Sequence, residues 1–309
     1  MKTTRYRYLL LMVPLMILTT ISGCSGTKNL VDKITPEVVK KRILPRKPDV
    51  KKRVMILPLM DRANIGPDWA ARTTATFNEL LSKSPYLLIY QAPDSITLEK
   101  GTRPPEYGHV PQPQLVKKVE DLDMNALITG TIAPIEITTK KTFIWPYPRI
   151  RKIYEVTVNM NVVDVRSGTL YLTNKESVKK AFHPYDVEDM EEKKIINQVF
   201  EEALPRIMKK HASVIAKALA KEPWSGKILS IEDNTIMINA GSEVGVRPGH
   251  VFEVFAKGES IVSREGKAVG TLGEKIGEIK VTSIMEKHSM AAPVTEGSYM
   301  AGQIIRSRR

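Results

Sequence analysis

Tyr154-Glu-Val-Thr-Val-Asn-Met-Asn-Val-Val-Asp-Val165, then Arg166-Ser167-Gly168, then Thr169-Leu-Tyr-Leu-Thr-Asn-Lys-Glu-Ser-Val-Lys-Lys-Ala-Phe182 is the stretch that decides the fold of the central region. Val156, Val158, Met160 and Val162 alternate with Glu155, Thr157, Asn159 and Asn161, the period-two pattern of a strand with one buried face. Gly168 supplies a positive φ and Asp164 caps the turn, so Thr169 to Phe182 returns as the partner of a β-hairpin.

On the N-terminal side of this hairpin, Val54-Met-Ile-Leu-Pro-Leu-Met60 reads as a buried first strand, with Pro58 placing it near a sheet edge or ending it early. Gly66-Pro67-Asp68 opens a helix to about Lys83, with Trp69, Thr73, Thr76, Phe77, Leu80 and Leu81 on one face. Tyr86–Tyr90 is a second strand. Residues 91–112 are a proline-rich surface excursion, Gln114–Leu122 a short helix and Ala126–Ile132 a buried strand. On the C-terminal side, Glu188–Lys221 reads as one long helix. Its stripe runs from Ile195 through Phe200, Leu204, Met208 and Val214 to Leu219, and Pro205 is expected to kink it.

After Pro223 the pattern changes to short alternating strands, at Gly226–Ile231, Thr235–Asn239, His250–Ala256, Gly277–Met285, Met290–Val294 and Gln303–Arg306. Turn signals separate them, as in a small barrel or sandwich. The fold class expected is therefore α+β: an α/β sandwich over residues 54–222 and a small all-β, barrel-like domain over 223–309.

The first residues are an address. Lys2, Arg5 and Arg7 precede a run of 13 uncharged residues, Leu9–Ile21, too short to span a bilayer and suited to a secretory signal. Ile21-Ser22-Gly23-Cys24 follows, and Cys24 is the single cysteine of 309 residues. It resembles the bacterial lipobox. That resemblance implies removal of residues 1–23 as a signal peptide and lipidation of Cys24, with a diacylglyceryl thioether and an amide-linked acyl chain such as palmitate. Three chains give stable anchoring. Ser25 in place of Asp points to the outer membrane, facing the periplasm.

The formal charge of +13 is concentrated beside this anchor: residues 25–53 hold ten Lys/Arg against three acids, whereas the rest of the mature chain is close to neutral. A nearly neutral folded part removes the main argument for nucleic-acid binding. Residues 24–53 read as a lipidated, basic, proline-containing tether, about 90 Å long when extended. It either lies along anionic lipid or cell wall or acts as a soluble spacer.

Leu127-Ile-Thr-Gly-Thr-Ile132 and Val162-Val-Asp-Val-Arg-Ser-Gly-Thr-Leu170 resemble the CsgG-like curli-secretion lipoproteins and the N-terminal domain of TolB and its relatives. The C-terminal segments Ile236-Met-Ile-Asn-Ala-Gly241, Val244-Gly-Val-Arg-Pro-Gly249 and Ile276-Gly-Glu-Ile-Lys-Val281 resemble the C-terminal domain of the flagellar assembly protein FlgT. Secretion members make a membrane barrel from long amphipathic hairpins. Here the candidate strand Ile135–Trp145 carries Lys141 at its middle, and Pro146 and Pro148 are expected to break it, so no pore is expected. The patch Phe143-Ile-Trp-Pro-Tyr-Pro148 is expected to fold back on the core, the alternative being an exposed loop that docks a partner or dips into lipid.

No catalytic, cofactor or metal site is expected. His109, His183, His211, His250 and His288 form no ligand spacing, and neither a nucleophile elbow nor a phosphate-binding loop occurs. Asp186, Glu188, Asp189, Glu191 and Glu192 read as acids that complement a helix dipole, and Glu120-Asp121-Leu122-Asp123 as a solvated helix end. The expected role is a non-enzymatic, membrane-anchored scaffold or assembly factor that binds other envelope proteins or further copies of itself. A trans-envelope activator of cell-wall synthesis enzymes and a curli-type secretion component stand as alternatives.

Overall fold

The computed structural model describes residues 50–93, 95–96, 108, 111–144, 147–262 and 268–308. The chain divides into two units, residues 1–47 and 48–309, and the described residues all belong to the second. It is α+β, with a seven-stranded mixed sheet followed by a closed six-stranded barrel.

Strand β1 (Lys52–Ile56) sits inside the sheet, parallel to β3 (Leu87–Gln91) on one side and to β4 (Ala126–Ile132) on the other. Successive side chains alternate across a strand. Val54 and Ile56 therefore enter the core beneath α1 (Pro67–Ser82) and α4 (Glu192–Lys221). Met55 and Leu57 enter the opposite core, under α2 (Pro113–Glu120). Pro58 ends β1 early, as one of the two sequence expectations had it; the strand is central rather than at an edge because both of its sides are paired. A two-residue strand, β2 (Met60–Asp61), continues along β4.

Helix α1 begins after Gly66, whose φ of 103° is open to glycine and brings Pro67 to the first turn. The Asp61 carboxylate accepts from the Ala63 and Gly66 amides at 2.9 and 3.0 Å and holds the entry loop. Phe77 and Leu81 lie on the sheet as expected, while Thr74 and Asn78 are also buried. Thr74 Oγ1 accepts from Leu59 N at 3.0 Å, which ties the helix to the end of the strand region.

The spine of the sheet is β6 (Tyr147–Asp164), 18 residues long. Its C-terminal part pairs with β4, its N-terminal part with β5 (Glu136–Ile144), and β7 (Thr169–Phe182) runs along its other side from Asp164 to Lys152. The β6–β7 turn is built as expected: Gly168 has φ 66°, and Asp164 Oδ2 accepts from the Ser167 amide and hydroxyl at 3.2 and 2.6 Å. The expectation that Pro146 and Pro148 break the strand is corrected at Pro148, which stands in β6 opposite Phe143. Beyond Lys152 the strand has no β7 partner, and a proline's missing N–H is tolerated at such an unpaired side.

Helix α4 is unbroken through Pro205, which faces solvent. It starts at Glu192, later than expected, because a separate short helix α3 (Pro184–Val187) takes up the preceding residues. Its buried stripe includes His211 and Ala212, whereas Val214 is 37% exposed.

The barrel order is β10-β11-β12-β9-β8-β13, with β8 Ser225–Glu232, β9 Thr235–Ile238, β10 Val251–Val262, β11 Ala268–Ile284, β12 Ser289–Pro293 and β13 Ile304–Ser307. Closure leaves no strand edge unpaired around the ring. Phe252, Val254, Ile279 and Ile305 fill it, and the Trp224 ring lies 5.5 Å from that of Phe252. β10 and β11 run longer than the sequence pattern indicates. Their pairing shifts register three times between Val254 and Ser260, which breaks the alternation a sequence reader would follow.

Candidate functional site

The richest polar chemistry lies where the sheet meets the barrel. Val50 packs into the barrel core, and Lys51 N donates to Val244 O at 2.7 Å, so the barrel is held by the residues that lead into β1. Two residues on, Arg53 is 4% exposed. Its Nε donates to Glu243 Oε1 at 2.8 Å, and one terminal nitrogen donates to Asn239 O at 2.9 Å. The other donates to Lys287 O at 3.3 Å and lies 2.6 Å from Glu243 Oε1. Glu243 Oε2 accepts from the Tyr90 hydroxyl at 3.1 Å. Burial, and then the neighbouring Glu243 carboxylate, push the Tyr90 hydroxyl above its ordinary pKa.

A second set of bonds lies alongside. Asn125 accepts from Arg53 N at 2.9 Å and donates to Ser225 O at 2.6 Å, bridging β1 to the first barrel strand. Asp123 has φ 58°. It accepts from Asn239 Nδ2 at 3.0 Å and pairs with Lys227 at 2.9 Å.

Next to these bridges are two hollows that share Asn125, Arg166 and Ser225. The smaller, ≈ 160 Å³, is lined by Lys52, Asp164, Tyr171, Glu222 and Arg306 among others. Lys52 Nζ donates to Leu219 O at 2.7 Å, satisfying a carbonyl at the C-terminal end of α4. Burial lowers the Lys52 pKa to about 8 against the opposing pull of Glu222 and Asp164. The larger hollow, ≈ 490 Å³, is lined by Asp123, Lys227, Asn239 and Lys257 among others. These side chains chiefly bind one another. Among the described residues no three His, Cys, Asp or Glu side chains gather as a metal set.

Cys24 and the tether residues before position 50 lie outside the described residues. Lys52 and Arg53, read in the sequence as the last cations of a solvated tether, instead stand in β1. The reason is local: Arg53 adjoins the apolar run Val54–Leu57 and enters the sheet with it. Asp123 is likewise more than a solvated helix end. The one signal was a pair of short polar residues, Asp123 and Asn125, immediately before a buried strand.

His211 is fully buried, between Asn174 Nδ2 at 3.0 Å and Val158 O at 3.2 Å. A carbonyl only accepts, so Nε2 carries the proton and Nδ1 accepts from the amide. His183 stacks on Tyr185, and His109 lies outside the described residues. Phe143 is 69% exposed and does not fold back on the core; it belongs to a ribbon that leaves the sheet. Side chains 144–148 lie outside what is described.

No family model matches the chain, and no curated protein matches it. Among solved structures it is similar to a PelC dodecamer from Paraburkholderia phytofirmans, at 11% identity and TM-score 0.30, over 55% of this chain and 89% of that one. It is also similar to lipoprotein GNA1162 from Neisseria meningitidis, at 12% identity and TM-score 0.28, over 55% and 99%. A third is the LpoB C-terminal domain from Salmonella enterica, at 9% identity and TM-score 0.26, over 47% and 94%.

Proposed function

We propose that this chain is a non-enzymatic lipoprotein of the bacterial outer membrane, facing the periplasm, whose sheet and barrel serve as a scaffold or assembly factor for an envelope machine. The observation that carries the reading is Cys24: the single cysteine stands behind a basic start, a 13-residue apolar run and Ile21-Ser22-Gly23. The junction chemistry is in keeping with a scaffold. Arg53 pairs with Glu243 and Asp123 with Lys227, and Asn239 links the two pairs across the junction of sheet and barrel.

Density-gradient separation of envelope membranes tests the assignment. The wild-type chain is expected in the outer-membrane fraction and a Cys24→Ala chain in neither membrane. Recovery of the wild type in cytosolic extract overturns it. Crosslinking in intact envelopes, followed by capture, then identifies the machine.

A second reading, an activator of wall-synthesis enzymes acting across the periplasm, is favoured by the length and charge of the tether. Deleting half of residues 26–46 separates the two: it abolishes a reach-dependent activator and spares a membrane-proximal scaffold.

A further inference from the structure

Two surfaces at one end of the sheet carry opposite charge. The first is the arm made by β5 and the N-terminal part of β6. From Ile137 to Lys152 the chain holds Lys140, Lys141, Arg149, Arg151 and Lys152 and no acid. All five cations are exposed, and none is in an ion pair among the described residues. Lys140 stands directly opposite Arg151, and Arg149 is one rung-pair away on the same face. Like charges placed opposite one another destabilise a ribbon. This ribbon is already weak, since β7 ends opposite Lys152 and only two strands continue. Retaining repelling cations on a marginal element is what an anionic partner would compensate. The exposed Phe143 lies on the other face of the arm, with Lys141 and Lys152.

The second surface is the strip Pro184–Glu192. It holds Asp186, Glu188, Asp189, Glu191 and Glu192, all five exposed, and Glu191 pairs with Lys194 just beyond the strip at 3.6 Å. Tyr185 and Met190 project from it at 78% and 39% exposure. The strip starts just after Phe182, which pairs with Lys152 at the root of the arm. The arm then continues roughly 17 Å past that point, at about 3.4 Å per residue.

We propose that the arm of one copy docks on the acidic strip of a second copy through the face that carries Lys140, Arg149 and Arg151. Three unpaired cations on one face of the arm meet a strip of five acids, from which Tyr185 and Met190 project as exposed groups of the kind that anchor interface centres. Because arm and strip are different surfaces the contact is heterologous, and repetition gives a closed ring or a filament. The contact is independent of the lipid anchor.

The test is sedimentation of the full mature chain carrying Cys24→Ser. Assemblies larger than a monomer are expected at low salt, dissociating at about 0.5 M salt as the screening length shrinks. An arm variant (K140E, R149E, R151E) and a strip variant (E188K, D189K, E191K), each shown by circular dichroism to remain folded, are each expected to weaken association at least ten-fold. Their equimolar mixture is expected to assemble again, because each reversed surface then meets its complement in trans. A wild type that stays monomeric, assemblies indifferent to both variants, or a mixture that fails to recover would each overturn the proposal. So would arm-dependent binding to phosphatidylglycerol vesicles by a monomeric wild type, which would give the arm a membrane partner instead.

Discussion

Arg53 on β1 and Glu243 in the barrel form an ion pair across the junction, with side chains 5% and 18% exposed. A buried pair contributes orientation more reliably than stability, because desolvation offsets much of the Coulomb attraction. Here the orientation is that of an entire barrel relative to the strand before it. Arg53 also satisfies the carbonyls of Asn239 and Lys287, which belong to two barrel loops, so one side chain holds both.

Removing one partner leaves the other charge buried. Arg53→Ala is expected to lower stability by about 3–5 kcal/mol. Arg53→Met with Glu243→Leu is expected to recover a large part of that loss. Urea unfolding of the two variants and the wild type checks the ordering. A single mutant within about 0.5 kcal/mol of wild type would show that the pair does not hold the junction.

His211 sets an acid limit. Burial holds its pKa at about 4, against 6.5 for a free imidazole. Between those values the unfolded chain binds more protons than the folded one, so stability falls as the pH drops from about 6.5 to about 4. The loss is on the order of 3 kcal/mol. His211→Gln is expected to be less stable at pH 7 and to show a shallower slope across that window, read from chemical unfolding at each pH.

Lys52 works at the alkaline end. Its folded pKa of about 8 lies below the ordinary 10.5, so between those values the unfolded state again binds more protons. Its contribution to stability therefore rises as the pH climbs from 8 to 10.5, and the cost of burying the charge is fully present below 8. Relative to Lys52→Met, the wild type is expected to gain on the order of 3 kcal/mol over that range. Parallel slopes for the two proteins would contradict the buried-amine assignment.

Two substitutions separate packed from unpacked surface. A Cβ on Gly241 would clash with the backbone carbonyl oxygens of Glu286 and Met285. Gly241→Ala is therefore expected to cost at least about 2 kcal/mol in thermal unfolding. Phe143→Ser, on the exposed arm, is expected to change stability by less than about 0.5 kcal/mol.

The elements legible in the sequence were those with a clean period and a clear stop. Ala126–Ile132 and Thr169–Phe182 end where their apolar patterns end, and β8, β9, β12 and β13 follow their turn residues, whereas β10 and β11 run past theirs. The arm was not legible, because an exposed ribbon has no buried face to impose alternation and Pro148 reads as a break until one sees its unpaired side. The junction was hidden for a different reason. Arg53, Asp123 and Glu243 are far apart in the chain, and a buried cation looks the same in a sequence as a solvated one. The lipidation signal at Cys24 is the converse case, complete in the sequence and outside the described residues.

Metabolic labelling with palmitate, followed by mass analysis of the N-terminal peptide, bears most directly on the anchored-scaffold account. The account predicts that the mature chain begins at an acylated Cys24 and that Cys24→Ser carries no label. An unlabelled wild type, or one that retains residues 1–23, would contradict it.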